Sequence, residues 1–180
     1  MIYALLVAAV LIVFVIGVYN GLISLRNQCD KGWANIDTQL KRRYDLIPNL
    51  VETVKGYAKH EAETLEGVVK ARTAAMGATT VADKQKAENA LSSTLKSIFA
   101  LSEKYPDLKA NQNFMDLQET LRGTEDQIQS SRSVYNELVR AFNTKLQVFP
   151  NNLLANMLGF LKRDFFEIDE KEKENIKVSF

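Results

Sequence analysis

Ile2–Val18 reads Ile-Tyr-Ala-Leu-Leu-Val-Ala-Ala-Val-Leu-Ile-Val-Phe-Val-Ile-Gly-Val, and no Lys, Arg, Asp or Glu precedes Arg26. A bilayer core about 30 Å thick is crossed by roughly 20 helical residues rising about 1.5 Å each. With Tyr19-Asn20 as an interfacial flank, the run is long enough. Signal peptides carry a basic start, roughly 7–15 apolar residues and a small-x-small cleavage site. Here nothing basic comes first, the run is longer, and Val18-Tyr19-Asn20-Gly21-Leu22 is a poor cleavage site. Arg26-Asn27-Gln28 before Cys29 is unlike a lipoprotein box. A core helix with no polar face would be unusual in so small a chain. The expectation is a retained transmembrane anchor over residues 1–20.

Charge bias orients it. Arg26, Lys31, Lys41, Arg42 and Arg43 follow the run, and only the α-amino group precedes it. Lys and Arg stay on the cytoplasmic side. This predicts a single-pass protein of the cytoplasmic membrane, N-terminus outside and body inside. The remaining residues suit one domain. With 23 Lys plus Arg against 22 Asp plus Glu, no basic surface for nucleic acid is expected. A single Cys excludes an internal disulfide.

Beyond the anchor, apolar residues recur at steps of three and four. Leu22, Leu25, Cys29, Trp33, Ile36, Leu40, Tyr44 and Ile47 form one helical stripe. No breaker follows Gly21 before Leu46, so the membrane helix either continues into this stripe or breaks near Gly17 or Gly21. Unbroken to Leu46 it would be roughly 68 Å long. Proline restricts the preceding residue, so helices are expected to end or kink at Ile47, Tyr105 and Phe149, before Pro48, Pro106 and Pro150. A second helix then opens near Pro48 and ends around Gly77. Thr80-Val81-Ala82-Asp83 resembles a capping box opening a third helix, with Ala87, Leu91, Thr94, Ile98, Leu101 and Tyr105. A fourth, from Asn111 to Phe149, carries Phe114, Leu117, Leu121, Thr124, Ile128, Ser131, Tyr135, Leu138, Phe142, Leu146 and Phe149. Leu153–Leu161 is a short apolar segment. It either covers a bundle end, lies at the membrane interface or joins protomers. The run Glu167–Glu174 is expected to be solvated, and Ile176–Phe180 could be extended. The fold class is all-α: a transmembrane helix, then an elongated antiparallel four-helix bundle over 21–150, then a short apolar helix and charged tail over 151–180.

The block Gln39–Glu61, with Leu40-Lys41-Arg42-Arg43-Tyr44-Asp45-Leu46-Ile47-Pro48-Asn49-Leu50 at its heart, resembles the signature of the LemA family. Tyr19-Asn20, Leu25-Arg26-Asn27, Trp33, Tyr105–Asn111, Tyr135-Asn136, Phe149-Pro150 and Val178-Ser179-Phe180 extend the resemblance over nearly the whole chain. It implies a short N-terminus, one membrane helix, a helical body and an N-out topology. It supplies no catalytic residue, and no biochemical role is established for the family.

Nothing in the residues points to chemistry. A di-iron bundle needs two Glu-x-x-His pairs, and His60 is the one histidine, with Tyr57 three residues before it. No phosphate loop or nucleophile elbow occurs. No cofactor and no metal are expected. Cys29 and Trp33 read as core residues, and His60 reads as solvated beside Glu61 and Glu63. Gly17 and Gly21 form a small-xxx-small pair, a candidate contact between anchors. Arg42, Arg43, Asp45 and Asn49 are candidate docking residues. On the bland reading, Lys41-Arg42-Arg43 is instead a solvated face paired with Asp37, Asp45 and Glu52. The expected role is a non-enzymatic scaffold that touches the bilayer and forms homo-oligomers. The alternative is an adaptor for another membrane protein, such as a protease or transporter.

Overall fold

The computed structural model describes residues 1–167, all helix and connection with no strand among them. The tail expected to be solvated and then extended lies, past Glu167, outside the described residues. Six helices follow in order: α1 (Ile2–Tyr57), α2 (Ala62–Gly77), α3 (Val81–Ser102), α4 (Pro106–Lys109), α5 (Gln112–Gln147) and α6 (Asn151–Met157).

The apolar run and the stripe after it form one helix. α1 passes Gly17 and Gly21 without a break, burying Leu22, Cys29, Ile36, Leu40, Ile47, Leu50 and Val54. It also passes Pro48, so of the expected end or kink at Ile47 the end is corrected, and no second helix opens at Pro48. Proline lacks an N–H, so the carbonyl four residues back loses its helical donor. That carbonyl belongs to Tyr44, and Arg72 Nε of α2 donates to it at 2.8 Å. The missing bond is replaced from a neighbouring helix. The chain instead turns at residues 58–61, just past Gly56, a weak helix former. Ala58 is buried at this turn.

The other boundaries follow the local signals. Thr80 caps α3: Asp83 N donates to Thr80 Oγ1 at 3.0 Å. Pro106 opens the single turn of α4. Asn111 Oδ1 accepts from Phe114 N at 3.0 Å and starts α5. α5 buries Phe114, Leu121, Ile128, Tyr135 and Phe142, each seven residues after the last. Thr124, on the same stripe, returns its hydroxyl to Thr120 O at 2.8 Å, which satisfies a buried polar atom inside the helix. Phe149 departs from the expected stripe: it lies past the helix end and is 79% exposed.

The helices form two compact units. One comprises Met1–Asn35 with Ser131–Phe165, and the other, among the described residues, Ile36–Ser130 with Phe166 and Glu167. In the first, α1 and α5 run antiparallel. A Cβ on Gly32 would lie 3.2 Å from Leu138 Cδ1 and 3.5 Å from Tyr135 Cα, while Gly21 faces the Lys145 ammonium eleven residues earlier on α1. Glycine at 32 lets the helices approach closely. Trp33, half-buried, packs edge-to-face on Tyr135 at 5.4 Å. In the second unit, Leu65 and Val68 of α2, Leu91, Leu95, Ile98 and Leu101 of α3, and Phe114, Leu121 and Ile128 of α5 are buried with the later turns of α1.

Candidate functional site

The most unusual side chain is Arg43, which is 0% exposed. It continues the stripe Ile36-Leu40-Arg43-Ile47, so α1 carries it inward. A buried cation needs partners. Arg43 Nη2 bonds Glu88 of α3, also 0% exposed, and Nη1 bonds Glu125 of α5 and Ser92 Oγ, the last at 3.0 Å. The Tyr44 hydroxyl donates to the other Glu88 oxygen. One guanidinium thus ties α1 to α3 and α5. The arrangement can fix helix register, a role that buried ion pairs fill better than net stabilisation. Glu88 and Glu125 were not among the residues singled out from sequence. Their signal was present: Glu88 sits three residues before Leu91 on the buried α3 stripe, and Glu125 four after Leu121 on α5.

The four candidate docking residues therefore divide. Arg43 faces the core, and its surroundings are a side-chain network. Arg42, Asp45 and Asn49 are exposed on successive turns of α1. Two of the expected partners of the basic cluster are engaged elsewhere. Asp37 pairs with Lys84 of α3 at 2.5 Å, and Glu52 lies 3.8 Å from Lys55. Asn49 lies inside α1, and its carbonyl accepts from the Thr53 hydroxyl at 2.8 Å.

In the other unit, the two glycines also differ. Gly17 is open, with no atom within 4 Å of a Cβ built there, whereas Gly21 is covered by the Lys145 side chain. The first sixteen side chains of the chain are all exposed. Cys29 is fully buried, and desolvation pushes its thiol up, with Asp30 adding to the effect and Arg163 opposing it. His60 is exposed in the turn after α1. Among the described residues no three His, Cys, Asp or Glu side chains gather as metal ligands.

The segment after α6 is strapped down by polar bonds that the sequence did not reveal. Asn143 and the Arg163 backbone exchange two hydrogen bonds, each 2.9 Å. Tyr135 Oη donates to Asp164 O at 3.1 Å, and Arg163 pairs with Asp30 at 2.7 Å. Burial raises the Tyr135 hydroxyl above its ordinary range.

α1 is the one described helix long and apolar enough to cross a membrane, with 6% of its most apolar window buried, which suggests a membrane anchor. The chain is 24% identical to Protein LemA of Metamycoplasma hominis over 168 residues, covering 91% of this chain and 75% of that protein. It is 21% identical over 175 residues to Magnetosome protein MamQ 2 and to Magnetosome protein MamQ 1 of Paramagnetospirillum magneticum, covering 83% of this chain and 64% of each relative. The LemA family model matches residues 32–180, which takes in the Arg43 network, the exposed turns of α1 and the strapped segment. The chain belongs to the LemA family.

Proposed function

We propose that this protein is a non-enzymatic scaffold of the cytoplasmic membrane that self-associates through its anchor. The supporting observation is the unbroken α1: a bare apolar stretch and the buried stripe of the body belong to one helix. Within the unit of Met1–Asn35 and Ser131–Phe165, the apolar run and the first buried turns after it share that helix with no loop between them. The open side at Gly17 lets a second apolar helix approach closely, as small residues do between membrane helices. The charge asymmetry around the run favours the N-terminus outside and the body in the cytoplasm. The body in this reading is an antiparallel four-helix arrangement locked by Arg43. The test is particle mass of the full-length protein in mild detergent, beside Gly17→Leu. The reading expects a multimer that shrinks with the variant. A monomer, or a multimer of unchanged size, contradicts contact through Gly17.

A second reading is favoured by one observation. Arg42, Asp45 and Asn49 are exposed on one stretch of α1 while the neighbouring Arg43 holds that stretch rigidly to α3 and α5. Such a face suits an adaptor for another membrane protein. Charge reversal at Arg42 would then remove a co-purifying partner and leave the fold intact.

A further inference from the structure

We infer that α6 and its flanks form an interfacial membrane element, seated in the bilayer surface where α1 leaves it. The inference rests on the membrane-anchor reading of α1. The position of α6 along α1 is fixed within the single compact unit that holds Met1–Asn35 and Ser131–Phe165.

α5 runs antiparallel to α1, with Leu138 beside Gly32 and Lys145 beside Gly21. Chain that continues past Lys145 therefore reaches the level of the apolar run, whose last residue is Val18. Val18 is the first buried residue of α1, so protein covers the helix there. The return is fixed as well. Phe160 packs edge-to-face on Tyr19 at 6.2 Å and on Phe142 at 6.5 Å. Everything between Lys145 and Phe160 is thus confined near the end of the apolar run, where a membrane helix meets headgroups.

What this segment exposes is mostly apolar, with Gln147 and Asn156 as polar exceptions. Phe149 is 79% exposed, Leu153 57%, Met157 82% and Leu161 81%, while Ala155 alone on α6 is buried. A soluble surface seldom groups such side chains. A helix lying in the interface does, with its apolar side among the upper acyl chains and cations at the headgroups. Lys162 supplies exposed positive charge beside the patch, and Arg26 does so about two helical turns past the end of the apolar run. These features favour lipid as the occupant over a second copy of the chain.

The test uses full-length protein in phosphatidylcholine–phosphatidylglycerol vesicles, in a Trp33→Phe background that keeps an aromatic ring against Tyr135. One tryptophan is introduced by Leu153→Trp, Met157→Trp or, as the anchor control, Val10→Trp. Lipids brominated near the carbonyl or near the chain end report depth by quenching. The expected result is that Leu153→Trp and Met157→Trp lose most of their emission to the shallow label and little to the deep one, while Val10→Trp is quenched by the deep label. Emission at 153 and 157 quenched by aqueous acrylamide but not by lipid would place the segment in water and overturn the inference. Protection from both quenchers would mean a protein covers it, a second copy included, and would also overturn it. In either case quenching at Val10 leaves the anchor standing. Loss of lipid quenching at all three sites sinks the anchor as well.

Discussion

At the scale of single residues, Arg43 and Arg72 explain features that would otherwise be liabilities. Arg43→Ala leaves Glu88 buried without its cation, a change that costs about 3–5 kcal/mol. Chemical denaturation should register that loss, and the paired replacement Arg43→Met with Glu88→Met should recover most of it. Arg42→Glu, one residue away but exposed, should stay within about 0.5 kcal/mol of the parent. Equal effects at 42 and 43 would contradict the assignment of Arg43 to the core. Arg72→Ala uncovers the Tyr44 carbonyl and should cost about 1–3 kcal/mol. Pro48→Ala restores the helical N–H, so it should rescue Arg72→Ala by more than it changes the parent. A double-mutant cycle with no coupling would separate the two residues. Cys29 is sealed in the core with its thiol held protonated by burial. Since the thiolate is the reacting form, maleimide should label native protein far more slowly than urea-unfolded protein, even at mildly alkaline pH.

At the scale of elements, most helices were legible because their signals are local. The Thr80–Asp83 cap, the proline at the head of α4 and the seven-residue recurrence along α5 each act within a turn or two. Pro48 misled for the opposite reason. Its consequence is decided by Arg72, twenty-four residues away on another helix, and nothing near residue 48 announces that donor. For Glu88 and Glu125 only part of the signal is local: each sits beside a buried stripe, but Arg43, the cation they meet, lies 45 and 82 residues away. The docking quartet split because adjacent residues on a helix point about 100° apart, so a contiguous charge cluster cannot share one face. Close approach of α1 and α5 rests on Gly32, where a larger side chain meets Leu138 and Tyr135. Gly32→Leu should therefore overpack the pair and lower stability by about 1–3 kcal/mol. Gly56→Leu is the control, since no atom lies within 4 Å of a Cβ there. A thermal melt that ranks the two equally would remove the close-packing account.

At the scale of the whole molecule, the family, the helical class and the candidate anchor were readable from composition, spacing and the Gln39–Glu61 block. The candidate site was readable only in outline. Gly17 and Arg42 could be named from sequence, but which glycine is open and which arginine is buried depends on what packs against each. Self-association through the anchor is the central functional claim, and it concerns copies of the chain in a membrane. It is tested most directly by cysteine crosslinking there, in a Cys29→Ala background carrying Gly17→Cys. Oxidation of intact membranes should give a disulfide-linked dimer at position 17, and the same replacement moved to Val13 or Phe14 should trace one face of α1. No dimer at any of these positions, with the protein folded and membrane-bound, would contradict the account.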